Sequence, residues 1–324
     1  MRKLPKISII ISSYTMDRFQ DITELMDSIH EQTYDDIEVI VVTERSQELT
    51  ESIQSYVREK GYSNVKVLFN QGERGISPAR NLGIRHATGE IIAFADDDAI
   101  LFPDWAEKTV IAYGGDSSIG GLTGPILPLW EDESMNWFPR EFYWIFSCTY
   151  WDWTESTEIR NGYGANMSFR RDVFDMCGLF KTSLGVKGYG KGGWQGIGGE
   201  EVEFSLRVKN QTGKRVVYHP GIKVKHKVFS YRFESRFIRR RAYWEGQAKA
   251  MFKSQYYSGN KQVLSTEHEL LRRILFRLVP SSIKLFFSKP YTAWLRLWVT
   301  IIVLASVATG YFSYKLLNLR PNKK

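Results

Sequence analysis

Three consecutive carboxylates, Asp96-Asp97-Asp98, follow the apolar run Ile91-Ile92-Ala93-Phe94-Ala95, and no other stretch limits the fold as strongly. A run of this kind reads as a strand buried on both faces, which belongs to an α/β sheet. Three charges cannot all be buried without compensation, so they belong at the strand's exposed C-terminal tip. Ligands of open α/β sheets gather at such tips. Carboxylates packed this closely repel one another unless a cation or basic groups hold them. Ala99 to Phe102 and then Pro103-Asp104, a helix-start signal, come next. A solvated acidic turn is the plain alternative, and the position after a core strand argues against it.

The preceding ninety residues alternate in type. Ile7 to Ile11 reads as a strand with Ser12-Ser13-Tyr14 at its tip, and Ile22, Leu25, Met26 and Ile29 then recur at helical spacing. Ile37 to Val42 is a second strand, ending at Thr43-Glu44-Arg45-Ser46. Leu49, Ile53 and Val57 mark a second helix, and Val65 to Phe69 a third strand. After the loop from Asn70 to Gly75, Ser77-Pro78 reads as N-cap and first turn of a helix through Arg80-Asn81 towards Ala87. This alternation predicts an α/β fold with a doubly wound, mostly parallel sheet.

Beyond Gly120 the pattern is less regular. Trp130, Trp137, Trp144 and Trp151 recur every seven residues, but Pro139 argues against one continuous helix. Such a stripe reads first as core; a wall that stacks on a sugar or dips among headgroups is the alternative. Asn161 to Asn166 leads into a strand from Met167 to Phe169. Eight glycines fall between Gly185 and Gly199, with Trp194 among them, as in a lid or substrate-shaping loop. Glu200-Glu201-Val202-Glu203 then begins a helix. Val216 to Tyr218 and Ile222 to Val224 read as short strands, with His226 just beyond the second, and Arg232 to Phe252 as a basic helix.

The net charge of +8 hides a sharp division: residues 1–204 hold 19 Lys/Arg against 32 Asp/Glu, and residues 205–324 hold 25 against 4. The C-terminal third therefore faces something anionic, and a membrane surface fits better than nucleic acid. Leu297 to Tyr314 are 18 uncharged residues between Arg296 and Lys315. As a helix they reach about 27 Å, close to the thickness of a bilayer's hydrocarbon core. Trp294, Trp298, Tyr311 and Tyr314 lie near the ends, where aromatic belts occur. Leu270 to Phe287, with Arg272, Arg273, Arg277 and Lys284, reads as an interfacial amphipathic helix. One span and a shallow hairpin both remain open. The positive flank before the span places the main domain in the cytoplasm, with Arg320, Lys323 and Lys324 in a basic tail that weakens this orientation. Cys148 and Cys177 form no disulfide framework, and the apolar stretch from Ile7 to Ile11 is too short for a signal peptide.

Several motifs together resemble family 2 glycosyltransferases, inverting enzymes of the GT-A fold, over roughly residues 5–250. Ile9 to Tyr14 is similar to the family's opening strand, which implies contact of Ser12 and Tyr14 with the nucleotide. Glu44 stands at the acidic position that meets base or ribose, although the family's Asp-Asp-Gly-Ser is here Thr43-Glu44-Arg45-Ser46. Gly75-Ile76-Ser77-Pro78-Ala79-Arg80-Asn81 with Gly83 resembles the Gly-x-x-x-Ala-Arg-Asn signature, whose arginine approaches the nucleotide. Asp96-Asp97-Asp98 stands as the Asp-x-Asp motif, and Gly199 to Glu203 resembles the Glu-Asp acceptor-side motif.

The resemblance implies roles. Asp98 is the expected ligand of Mn²⁺ or Mg²⁺, with Asp96 supporting it, Asp97 near the ribose and His226 a further ligand. Asn166 is added as a nucleotide-sugar contact. Glu201 is the expected base for the acceptor hydroxyl, with Glu200 or Glu203 able to serve instead. Such a cation stabilises a departing diphosphate. The aromatic segment and Arg241 to Gly246 narrow the match to archaeal transferases that add glucuronic acid to glucosyl-dolichyl phosphate. Expected partners are a nucleotide-sugar donor, with a UDP sugar expected, a lipid-linked saccharide acceptor and membrane lipids, with no nucleic acid. The rivals are a polyprenyl-phosphate sugar synthase, a surface-polysaccharide transferase, a sugar-nucleotide nucleotidyltransferase (which would open on a Gly-rich phosphate loop that Ile7 to Arg18 lacks) and a membrane-anchored nucleic-acid binder. The expected divisions are a catalytic domain over 1–250 (nucleotide half 1–115, acceptor half 116–250), a basic juxtamembrane segment over 251–292, a transmembrane helix over 293–317 and a basic tail over 318–324.

Overall fold

The structure, a computed structural model, describes residues 4–190, 193–195, 197–256 and 265–318. The first hundred residues give β1 (Ile7–Ser13), α1 (Phe19–His30), β2 (Ile37–Thr43), α2 (Gln47–Lys60), β3 (Val65–Phe69), α3 (Ile76–His86) and β4 (Ile91–Asp96). They continue through β5 (Ala99–Leu101), α4 (Trp105–Gly115), β6 (Ile119–Thr123), β7 (Ile126–Trp130), β8 (Thr157–Ile159), β9 (Met167–Arg170) and α5 (Arg171–Cys177). Then come the short strands β10 (Gly188–Gly190) and β11 (Gly193–Gln195), α6 (Glu200–Thr212), β12 (Arg215–Tyr218) and β13 (Val224–Val228). The helices α7 (Ser235–Met251), α8 (Ser265–Arg273), α9 (Val279–Leu285) and α10 (Pro290–Asn318) close the chain.

Eight strands form one sheet in the order β3-β2-β1-β4-β9-β6-β12-β8. The half built from β1 to β4 is parallel, as the alternation predicts. Beyond it the sheet is mixed, because β9 runs antiparallel to both β4 and β6. Its core includes Ile10, Ile40, Phe94, Met167, Phe169 and Phe204. Helix α3 lies so close to β1 that a Cβ on Gly83 would stand 2.5 Å from Ile10 Cγ2. Its N-cap is Gly75 at φ 124°, so Ser77 is not the cap; its hydroxyl instead donates to Leu184 O.

A second sheet has the order β5-β13-β7. His226 sits within β13, not beyond a strand, opposite Ala99 of β5. The reason is the short strand after the acidic turn: Phe102 N donates to Lys223 O and Lys227 N to Asp98 O, which fixes the register of the two segments. The local pattern of Ala99 to Phe102 could not show which distant segment it would pair with.

The chain divides into two compact units: residues 1–129, 151–188 and 200–227 form one, and 130–150, 189–199 and 228–324 the other. The boundary expected at residue 250 therefore falls inside the second unit. In that unit Phe138, Phe142 and Phe146 are buried core, whereas Trp130, Trp137 and Trp144 of the seven-residue stripe are half-buried and Trp151 belongs to the first unit. Pro139 separates two 3-10 helices, and Trp130, Phe138 and Phe146 pack on Phe233 with ring centroids 4.9 to 5.6 Å away. The glycine-rich loop holds β10 and β11, and residues 191–192 and 196 lie outside the described residues, as do 319–324 of the expected tail.

Helix α10 is long and apolar enough to cross a membrane. It is not isolated, because it packs along α7. A Cβ on Gly310 would run into the carbonyl of Tyr243, and one on Gly246 into that of Val307. Backbone cannot give way as a flexible side chain can. Gly310→Ala is therefore expected to cost about 1–3 kcal/mol, read as a lower denaturation midpoint of the full chain in detergent.

Candidate functional site

The site belongs to the first unit and grows from the ends of β1 and β4. Ser12 stands opposite Asp96 in the register of these strands, so the first strand's tip and the acidic turn are neighbours by construction. Beyond Asp96 the chain turns sharply, and Asp98 is buried. The β5–β13 pairing then delivers His226: its Nε2 lies 2.9 Å from Asp98 Oδ1 and 3.8 Å from Asp96 Oδ2. One ligand atom from each of Asp96, Asp98 and His226 can be chosen so that all three lie within 4.8 Å of one another.

The electrostatics there are strained. Burial, and with it the charge of Asp98, raises the Asp96 carboxyl above its usual range despite Arg80 and His226. Burial and the Asp98 charge push Asp97 up to about 7, although Arg18 and a 2.5 Å hydrogen bond from Ser13 Oγ oppose this. A divalent cation would relieve such crowding. Two carboxylates and one imidazole are groups that could hold such a cation.

Helix α3 supplies a buried cation on the other side of Asp96. Arg80 Nη1 donates to Glu200 Oε1 at 2.8 Å, while Nη2 stands 3.5 Å from Asp96 Oδ1. Gly164 allows this, since a Cβ there would press on Arg80 Nη2 at 2.6 Å. One guanidinium thus links the acidic turn to the first turn of α6. Removing it by Arg80→Ala would leave Glu200 buried and unmatched. A loss of about 3–5 kcal/mol in unfolding free energy is expected, measured by denaturant titration.

The glutamates of α6 separate into different jobs. Glu200 is held by Arg80. Glu203 is buried and paired with Arg207 and Lys181, which argues against its acting as a base. Glu201 shares a side-chain hydrogen bond with Glu200, and burial, then the neighbouring charge of Glu200, push its carboxyl up to about 8.

Other expected contacts fall differently. Glu44 is buried and accepts from Gly75 N at 2.9 Å, so it ties the second strand's tip to the start of α3. Tyr14 lies under the guanidinium of Arg45, 5.5 Å from its ring centroid. Asn166 is largely taken up by the protein: its amide oxygen accepts from Trp105 Nε1 at 2.8 Å and its amide nitrogen donates to Ile222 O at 2.8 Å. These bonds make its amide a brace between α4 and the segment before β13.

Two arginines near the site escaped the sequence reading. Arg18 pairs with Asp98 at 3.3 Å and with Asp21 at 3.0 Å, a meeting that no local pattern announces. Arg45 adopts φ 68°, a left-handed conformation that costs a non-glycine residue about 1 kcal/mol. It stands where Asp-Asp-Gly-Ser has glycine, and that departure was the available signal. Its compensation is an ion pair with Glu44 at 3.4 Å and a hydrogen bond to Lys187 O.

Comparison with known proteins bears on this arrangement. The family described as Glycosyl transferase family 2 matches residues 8–178. A glucosyl-dolichyl phosphate glucuronosyltransferase of Haloferax volcanii is 31% identical over 308 residues, covering 94% of this chain and 95% of the relative. Among solved structures, the mannosyltransferase PcManGT from Pyrobaculum calidifontis, in complex with GDP-Man and Mn²⁺, superposes with a TM-score of 0.61. It is 20% identical, and the match covers 96% of this chain and 88% of that one. GalNAc-T7 with UDP, GalNAc and Mn²⁺ gives a TM-score of 0.56 at 16% identity, over 83% and 54% of the two chains. These two show a shared fold of the GT-A kind.

Proposed function

The chain belongs to glycosyl transferase family 2, and from that premise we propose that it transfers a sugar with inversion to a lipid-linked acceptor. The donor in this reading is a UDP sugar, with glucuronic acid the sugar moved. The acceptor is a hydroxyl of a saccharide on a polyprenyl or dolichyl phosphate. The enzyme works at the cytoplasmic face of a membrane, to which its C-terminal helices attach it. Likeness to the Haloferax relative along nearly the whole chain supports the choice of sugar and acceptor.

One observation carries the chemistry: Arg80 links the Asp96–Asp98–His226 cluster to the turn that holds Glu200 and Glu201. Asp98, Asp96 and His226 would hold a divalent cation, which when bound neutralises charge on a departing diphosphate. Ser12, Tyr14, Glu44 and Asp97 line the strand tips on which the nucleotide would rest. Arg80 holds Glu200, so that the next residue, Glu201, is left to take a proton from the acceptor hydroxyl. The oxygen so activated attacks the anomeric carbon from the face opposite the leaving group.

The test is direct. Purified enzyme is incubated with a panel of labelled nucleotide sugars and a lipid-linked saccharide, and lipid-extractable label is counted. Label from UDP-glucuronic acid alone supports the full reading; label from another sugar corrects the donor. Chelation of divalent ions should remove transfer, with Mn²⁺ restoring it. Full activity in a metal-free preparation would sink the cation's role.

A further inference from the structure

Helix α10 shows water the wrong face. Tyr291, Trp294, Trp298, Ile301, Phe312 and Leu316 recur every three or four residues or multiples of that step, and all are exposed. The opposite stripe, including Ala293, Val299, Val303 and Gly310, is buried against protein. The residues before it repeat the pattern: Phe276 is 77% exposed and Phe287 94%, while Ile274 and Leu278 point inward. An exposed apolar surface of this length marks a partner. Arg272, Arg277, Lys284 and Lys289 are spread along it, with no acidic residue between Glu269 and the end of the chain. That charge selects an anionic lipid surface over a neutral one.

How α10 meets lipid is decided by α7. The crossing of Gly246 and Gly310 lies within the uncharged stretch from Leu297 to Tyr314. One helical turn to either side of Gly246, α7 carries a chain of ion pairs. Arg241 and Lys249 hold Glu245 at 2.9 and 2.8 Å, and Lys249 reaches Glu267 of α8 at 2.8 Å. An α10 standing across the bilayer would take these charges into hydrocarbon, where they are most costly. An α10 lying flat sinks only its outward stripe and leaves α7 on the water side.

We propose that α8, α9 and α10 form an in-plane anchor that enters one leaflet of an anionic bilayer, with both ends of α10 on the same side. This rests on the membrane attachment proposed above and replaces a spanning helix with a flat one.

The experiment uses the full chain in sealed vesicles prepared from expressing cells with the cytoplasmic face outward. Ser288→Cys and Lys315→Cys report the two ends of α10, and the native Cys148 and Cys177 are buried. A membrane-impermeant maleimide should label both variants equally before lysis. Labelling of Lys315→Cys only after detergent would mean a span and overturn the proposal. Purified chain should also bind phosphatidylglycerol vesicles at least about tenfold better than phosphatidylcholine ones, and Phe287→Glu should weaken binding about tenfold. A chain that ignores vesicles and dimerises with concentration would assign the face to a second copy and overturn it as well. Transfer to the lipid acceptor is measured in the same vesicles. Two-sided labelling with transfer intact removes only the flat placement, and one-sided labelling without transfer removes only the proposed reaction.

Discussion

Asp98→Ala should lower the turnover number for sugar transfer about a thousandfold or more, while the protein stays folded. The carboxylate is buried, 2.9 Å from His226 and 3.3 Å from Arg18. Its loss takes away one of the three groups whose ligand atoms converge. Without it, two donors remain to hold a cation against a departing diphosphate, and an electrostatic stabiliser of that kind accounts for several kcal/mol of barrier. Stability should respond far less, because the change also relieves repulsion among three neighbouring carboxylates. The check is paired: steady-state transfer, and the thermal midpoint with and without Mn²⁺. Wild-type protein should gain stability on adding Mn²⁺ and the variant should not. A variant that keeps a tenth of the activity would place the catalytic cation elsewhere.

Glu201→Gln is expected to reduce transfer to a hydroxyl acceptor by about a hundred- to ten-thousandfold, the range for loss of a general base. The pH profile makes this specific. A carboxyl pushed up to about 8 is mostly protonated at neutral pH and cannot accept a proton until it ionises. The wild-type rate should therefore climb with pH through the range below 8 and level off above it. The glutamine variant should be slow and lack that limb. Transfer to a polyprenyl phosphate needs no base, because that acceptor is already an anion. A Glu201→Gln variant with nearly full activity would thus favour the polyprenyl-phosphate synthase reading. Glu203→Gln should instead loosen Arg207 and Lys181 and appear as lost stability.

The contrast among the α6 glutamates shows where sequence reasoning stops. Glu200, Glu201 and Glu203 look equivalent at the start of a helix, where acids are favoured for the helix dipole alone. Their different surroundings come from Arg80, Arg207 and Lys181, which lie outside any local window. Asn166 makes the same point: its position before a strand gave no sign that Trp105 and Ile222 would occupy its amide.

The sequence by itself determined the parallel half of the sheet, the place of the acidic triplet at the end of β4, the break at Pro139 and a long apolar helix near the C-terminus. Each is written in a local period or a local backbone restriction. Tertiary structure alone decided the antiparallel entry of β9, the delivery of His226 through β13, the linking of Asp96 to Glu200 by Arg80, and the packing of α10 on α7. These depend on which segments meet, and segments meet where buried surface and backbone hydrogen bonds are satisfied together over long loops. No short stretch of sequence carries that sum.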